Sequence, residues 1–224
     1  MRLVPRMFAV LTAATLGAVA AVTLLSGPAS AATITTGHVD VLDVDYEAGA
    51  LSLNIKTHAP ISPETDDLDP AGTVLRVLPS WTTTVPSGAA WSCLGPAGST
   101  MYVAPQAYDA NKLYAGWDTN DVAAAQGPIK LELVSVVSSP AGGRFTLYTT
   151  ATSGLSVVPT FRLNSNTAAG CNVPVWPGGI GAATHGHGNW AFSQAGTYTL
   201  TFKATAQNGA GATSGNVAYT FQVG

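Results

Sequence analysis

Charged side chains are scarce in this sequence: Asp, Glu, Lys and Arg make up 9% of the residues, whereas hydrophobic residues make up 46%. Gly, Ser, Thr, Ala and Val supply much of the remainder. Few charges with abundant Thr, Val and Gly are typical of an extracellular β-sandwich and argue against a helical bundle.

Basic residues are scarcer than acidic ones. Without Arg2 and Arg6, seven Lys and Arg residues remain against 12 Asp and Glu residues, which gives a net charge of −5. This balance argues against binding to nucleic acid or to anionic surfaces.

Cysteine is nearly absent, since only Cys93 and Cys171 occur. An even number of cysteines in an exported protein predicts one disulfide, which would close a loop of about 80 residues and stabilise the fold by about 4 kcal/mol. Two free buried thiols are the alternative. A zinc thiolate site is disfavoured because no CxxC spacing exists.

After Leu25 no apolar segment is long enough to span a membrane. The one long apolar segment, residues 7–25, follows Arg2 and Arg6 and ends at Ser26-Gly27-Pro28. Ala29-Ser30-Ala31 then supplies a small-x-small cleavage site. We predict a signal peptide over residues 1–31, with an uncleaved anchor as the alternative, and a single extracellular domain over residues 32–224 without a membrane span.

Short alternating segments in residues 32–224 predict roughly nine or ten strands with regularly spaced turns. We therefore expect an all-β fold, an Ig-like or jelly-roll-like β-sandwich. Ala195-Gly196-Thr197-Tyr198 resembles the entry to a tyrosine corner. Residues 118–126 predict one or two helical turns. The predicted core comprises Val39, Leu51, Leu53, Ile55, Leu131, Leu133, Phe145, Leu147, Trp190, Phe192, Tyr198, Leu200 and Phe202.

The four histidines fall into two pairs. In the first hairpin, pairing Tyr46 with Leu51 aligns the apolar faces once a bulge is placed at Val41 and Leu42, and His38 then faces His58. Asp40 shares the parity of His38 and can add an oxygen ligand.

His185 and His187 lie two residues apart in an extended segment and so project from the same face, about 7 Å apart. Each pair can contribute half of a zinc or copper site. The alternative is that all four are ordinary polar surface residues, and the sequence does not say whether the pairs meet.

Other features offer weaker candidates. Asp66-Asp67-Leu68-Asp69 can hold calcium, although a solvated loop is the simpler interpretation. Trp81, Trp91, Trp117 and Trp176 lie in loop-like contexts and can form a sugar-binding platform, or can simply pack. No GxSxG or HExxH motif occurs, so we expect no enzyme.

Several segments match one known family. They are GHVDV at 37–41, YVAPQ at 102–106, AGW at 115–117, RFTLY at 144–148, THGHGNWAF at 184–192 and GTYTLTF at 196–202. Together they resemble the actinobacterial surface-anchored repeat domain, also called the choice-of-anchor M domain. The H-x-H-x-N-W-x-F block is the most specific part.

The resemblance implies a cell-surface module of unknown biochemical activity. It also implies a partner at the surface, either another surface protein or a component of an ABC transporter of the metal-uptake type, and hence capture of a divalent metal of the zinc or manganese class. The sequence departs from the family in its cysteine pair, in the long loop at 164–181 and in its end at Gln222-Val223-Gly224, which carries no LPxTG-like anchor. A structural or partner-docking domain, or a cell-wall or carbohydrate-binding module, is the alternative.

Overall fold

A computed structural model describes residues 31–61 and 64–224, and strands make up about half of these residues. The predicted signal peptide lies outside these residues except for Ala31. Within these ranges the helices are two short 3₁₀ segments, Pro70–Gly72 and Ala89–Leu94. None of the helices there has the length and apolar character that a membrane crossing requires. The all-β prediction is therefore confirmed.

Fifteen strands follow one another along the described chain. They are β1 (Ala32–Ile34), β2 (Gly37–Glu47), β3 (Ala50–Thr57), β4 (Thr65–Leu68), β5 (Thr73–Val77), β6 (Thr82–Thr84), β7 (Thr100–Ala104), β8 (Leu113–Asp118), β9 (Ile129–Ser139), β10 (Phe145–Ser153), β11 (Ser156–Asn164), β12 (His185–His187), β13 (Asn189–Phe192), β14 (Gly196–Ala206) and β15 (Val217–Val223).

The strands form three five-stranded sheets. We call the sheet of order β12-β8-β2-β3-β4 the histidine sheet. Its strands contain His38, His185 and His187, and His58 directly follows β3. The second sheet has the order β1-β5-β15-β14-β9, and the third has the order β11-β10-β13-β7-β6. Most neighbours are antiparallel, but β2 runs parallel to β8, and β5 runs parallel to both β1 and β15.

One large core joins the three sheets. It includes Leu53 from the histidine sheet, Leu200 from the second sheet and Trp190 from the third. The indole of Trp190 stacks on Phe221, with 5.6 Å between ring centroids. Every residue of the predicted core is buried. Period-2 alternation was therefore a sufficient guide to the inward face of each strand.

The predicted hairpin register is confirmed. Tyr46 lies opposite Leu51, and Val39 lies opposite Thr57. A register shift between Asp40 and Asp43 provides the expected bulge. This bulge turns successive polar side chains of β2 onto one face of the sheet, away from the core.

Two local predictions about stabilising contacts are also confirmed. Cys93 and Cys171 are bonded, with 5.1 Å between their Cα atoms and a sequence separation of 78. The hydroxyl of Tyr198 donates a hydrogen bond to the carbonyl of Gln194 at 3.0 Å, which is the tyrosine-corner contact. The disulfide therefore ties the 3₁₀ helix Ala89–Leu94 to the loop after β11.

The prediction of helical turns at residues 118–126 is wrong, because this segment contains only turns and bends after β8. The hydroxyl of Thr119 donates to the carbonyl of Gly181 at 2.7 Å, and the amide of Ala183 donates to the carbonyl of Thr119. The local bonds that remain, from the amide of Val122 to Thr119 and from the amide of Gln126 to Ala123, close separate single turns and do not continue into a helix.

The tryptophans are less exposed than a sugar-binding platform requires. Trp81, Trp117 and Trp176 are buried, and Trp117 meets Trp176 edge to face. Trp91 is half-buried and packs against Tyr148. The interpretation of these side chains as an exposed platform is therefore wrong, and packing accounts for their positions.

Candidate metal centre

Three adjacent strands bring distant residues together on the outer face of the histidine sheet. Strand β8 lies in the middle, with Asp40 of β2 opposite Gly116 on one side and His187 of β12 opposite Gly116 on the other. His38 lies opposite Tyr114, and His185 lies opposite Asp118. The two histidine pairs therefore converge over β8.

Gly116 provides the space in which these side chains meet. A β-carbon at this position would lie 2.6 Å from Oδ1 of Asp40 and 2.7 Å from Cε1 of His187. It would also lie 2.7 Å from the carbonyl oxygen of Gly186, which belongs to the backbone and cannot swing aside. Any side chain larger than hydrogen would therefore compete with the cluster for the same volume.

The potential ligand atoms are close together. One atom from each of His38, Asp40, His185 and His187 lies within 4.8 Å of all the others. Nε2 of His38 is 3.2 Å from Nε2 of His185 and 3.6 Å from Oδ1 of Asp40, and Oδ1 of Asp40 is 3.0 Å from Nε2 of His185. We call these four residues the metal-ligand group.

Asp40 is held from its other side. Its side chain is fully buried, and Nε2 of His58 donates a hydrogen bond to its Oδ2 at 2.8 Å. The ring of His58 also stacks on the ring of His38, with 4.0 Å between centroids. His58 therefore orients the carboxylate and one imidazole at once, so that Oδ1 faces the other histidines.

His187 is the least solvated imidazole of the group. Both of its ring nitrogens are buried, and neither makes a well-formed hydrogen bond, although the backbone of Ala115 interacts weakly with the ring. Its ring stacks on Tyr114 at 3.5 Å between centroids. Burial lowers the pKa of His187 to about 4; the charges of His38 and His185 add to this effect, while Asp40 and the backbone of Ala115 oppose it. A neutral imidazole keeps a lone pair on its unprotonated nitrogen, and this lone pair can bind a metal ion.

His38 is held in the same neutral form. Burial lowers its pKa, Asp40 raises it, and His58 and His185 lower it further. Metal ions bind the neutral form of imidazole, so protons compete less at this site than at an exposed histidine. The site remains accessible, since the side chains of His38 and His185 are 26% and 35% exposed.

The structure refines the predicted set of His38, His58, His185 and His187. All four lie together, and the amide of His58 donates to the carbonyl of His38 at 3.2 Å, as expected for cross-strand neighbours. His58, however, points at the far oxygen of Asp40, and Asp40 takes its place among the converging ligand atoms.

Two contributors to the site were not predicted as such. Gly116 lies within the AGW segment of the family resemblance, but the sequence gives no sign of its steric role. Tyr114 precedes that segment and alternates with Gly116 on β8, so the parity of the strand was the one available signal.

Comparisons with known proteins add nothing to this description: no family model, no curated protein and no solved structure matches the chain.

Proposed function

We propose that this chain is an extracellular or cell-surface binding module that captures one divalent metal ion of the zinc class through His38, Asp40, His185 and His187. The observation that carries the proposal is the convergence of four potential ligand atoms within 4.8 Å, one of them on the half-buried imidazole of His187, whose ring nitrogens are shielded from solvent and make no well-formed hydrogen bond. His58 positions Asp40 from outside the ligand set.

The donor set favours zinc over manganese. Three imidazole nitrogens and one carboxylate oxygen suit zinc and copper, whereas manganese prefers a site made mainly of oxygen atoms. In a tetrahedral zinc site with ligands at about 2.0–2.1 Å, neighbouring ligand atoms lie about 3.3 Å apart. The separations of 3.0, 3.2 and 3.6 Å among His38, Asp40 and His185 already approach this value.

The location and the non-catalytic role belong to the same proposal. The disulfide between Cys93 and Cys171 supports an oxidising compartment. The family resemblance favours delivery of the metal to a partner at the cell surface, either another surface protein or a component of an ABC uptake system. We propose binding rather than catalysis because the sequence carries no recognised catalytic motif.

Zinc binding to protein purified without a histidine tag tests the proposal. We expect one zinc ion per chain in competition with a chromophoric chelator, and loss of that binding in the His185→Ala/His187→Ala double variant. Asp109→Asn is the matched control, because Asp109 pairs with Lys112 and is not part of the metal-ligand group. Unchanged zinc affinity in the double variant would contradict the proposal.

A partner-docking domain is the second candidate, favoured by a different observation. Leu155 and Val157, at the β10–β11 hairpin, are exposed, and Leu155 is fully so. Protein that binds no zinc, copper or manganese would leave this function as the better account of the fold.

A further inference from the structure

A second polar cluster lies on the same face of the histidine sheet, next to the metal-ligand group. Asp43 of β2 lies opposite Asp118 of β8 on one side and opposite Asn54 of β3 on the other. Lys56 of β3 reaches into this region. We call the following set the acidic cluster: Asp43, Asp45, Asp66, Asp67, Asp118 and Asp121.

The cluster carries more negative charge than its one cation balances. In the described part of the chain, Lys56 is the one basic side chain that forms ion pairs with these aspartates. Its ammonium lies 3.5 Å from Asp118, 3.6 Å from Asp66 and 3.6 Å from Asp121. Charge-assisted hydrogen bonds between nitrogen and oxygen are about 2.7–2.9 Å long, so the ammonium of Lys56 is shared among several carboxylates rather than held by one of them. Burial lowers the pKa of Lys56, but Asp43 and the three paired aspartates raise it above its ordinary value.

Asp43 is the unusual member of the cluster. It is 1% exposed, and its Oδ2 is buried without a hydrogen-bond partner. The charged groups that act on it are Asp45, Lys56, Asp118 and Asp40. A buried carboxylate oxygen without a partner is costly, so native proteins place one where a proton, a water molecule or a cation completes it.

The electrostatics point in the same direction. Burial raises the pKa of Asp43 to about 8; Asp45, Asp118 and Asp40 raise it as well, and Lys56 lowers it. Burial also raises the pKa of Asp45, while the hydrogen bond from Asn54 lowers it. The ion-free cluster thus holds a proton at neutral pH in a position that a cation can take.

From the unpartnered oxygen of Asp43 and the carboxylates around it, we infer a second cation site that takes a hard divalent ion, best matched by Ca²⁺. Asp43 and Asp118, which face each other on β2 and β8, are its buried carboxylates. The cluster offers oxygen atoms without imidazole or thiolate, which is the donor set of calcium rather than of zinc. Calcium also accepts irregular coordination, and extracellular modules bind it with dissociation constants of about 0.1–1 mM.

The ammonium of Lys56 competes with a divalent ion for the carboxylates of this site. Two of its partners, Asp66 and Asp121, are largely exposed, with side chains 73% and 61% accessible. The flexible four-carbon stem lets the ammonium move outward with these two carboxylates when a divalent ion enters. Removal of this positive charge should therefore strengthen calcium binding.

Calcium binding is best measured in the His185→Ala/His187→Ala background, which lacks two of the four zinc ligands. Isothermal titration with CaCl₂ should give one site with a dissociation constant of about 0.1–1 mM, and calcium should raise the melting temperature. Because this background is independent of zinc capture, failure of the proposed function and failure of this site are separate outcomes.

Three variants in that background make the test specific. Asp43→Asn and Asp118→Asn should each weaken calcium binding at least about fivefold, since calcium affinity follows the number of charged ligands. Lys56→Met should tighten it by a similar factor. Asp109→Asn, whose side chain pairs with Lys112 and not with Lys56, should leave it unchanged. Circular dichroism checks that each variant is folded.

The opposite results would overturn the inference. The inference is wrong if the folded background protein binds no calcium at about 10 mM, ten times the highest expected dissociation constant. Unchanged affinity in both Asp43→Asn and Asp118→Asn would also overturn it, because binding would then lie elsewhere. A Lys56→Met variant with unchanged or weaker affinity would contradict the role of Lys56 as competitor.

Discussion

A β-carbon on Gly116 would lie 2.6 Å from Oδ1 of Asp40, so the Asp40 carboxylate can occupy its position only because residue 116 has no side chain. The same β-carbon would press on His187 and on the backbone of Gly186. The metal-ligand group therefore depends on a residue that contributes no ligand atom.

We predict that Gly116→Ala lowers zinc affinity at least about tenfold, as loss of an orienting contact commonly does. Overpacking against the Gly186 backbone should also lower the free energy of unfolding by about 1–3 kcal/mol. Zinc titration and urea unfolding measure the two effects. Gly72→Ala is the matched control, because nothing lies within 4 Å of a β-carbon there. Wild-type zinc affinity in Gly116→Ala would show that the site is looser than the structure indicates.

His58→Ala should lower zinc affinity by about 10- to 100-fold while the stoichiometry stays at one, because His58 positions Asp40 but is not a ligand. His58→Gln should recover part of the affinity, since its amide can donate to the same oxygen of Asp40. Competition titration of the three proteins measures this order. If the His58→Ala variant binds no zinc at all, His58 is itself a ligand.

The pH dependence of stability should reveal Asp43. Its pKa in the folded protein is about 8, well above the ordinary value of 3.8. The protonated carboxyl therefore contributes stability that is complete below pH 3.8 and is lost as the pH rises through about 8. In calcium-free buffer, Asp43→Asn should be as stable as wild type near pH 4 and more stable by at least about 1 kcal/mol at pH 8.

Urea unfolding at the two pH values provides the measurement, because a group with an unshifted pKa would produce no such divergence. Equal stability of the two proteins at pH 8 would mean that the Asp43 carboxylate is well solvated or paired.

Loss of the disulfide should reduce stability without affecting the metal site. Cys93→Ala/Cys171→Ala should lower the free energy of unfolding by about 2–4 kcal/mol, because the unfolded chain regains the freedom of a long loop. The side-chain amides of Asn164 and Asn166 still donate to the carbonyl of Cys93, so the local structure should persist. Zinc affinity at 20 °C should match wild type, and a large loss would indicate that the third sheet supports the histidine sheet more directly.

The sequence was sufficient for relationships within a hairpin and within a strand. The facing positions of His38 and His58 follow from apolar parity plus one bulge, and the common face of His185 and His187 follows from their spacing. The convergence of the two pairs was not predictable, because it requires β8 between β2 and β12. Parallel pairing of β2 with β8 joins distant segments and leaves no local pattern in the sequence.

The roles of individual polar residues were harder to predict than their positions. Parity placed Asp40 beside His38, but only the tertiary arrangement shows that its two oxygens face different histidines. Likewise, the acidic character of Asp66 and Asp67 was evident, whereas the burial of Asp43 depends on the neighbouring strands. Burial arises from packing across sheets, which single-strand alternation does not encode.

The sequence separation of 147 between His38 and His185 also determines when metal can enter during folding. A partly folded chain without β12 presents only His38 and Asp40 from the metal-ligand group, which is too few ligands to retain zinc against small chelators in solution. Strong retention therefore begins only after the last strand of the histidine sheet has docked. Transfer of zinc from a chromophoric chelator to the refolding protein would therefore report the time of that final docking step.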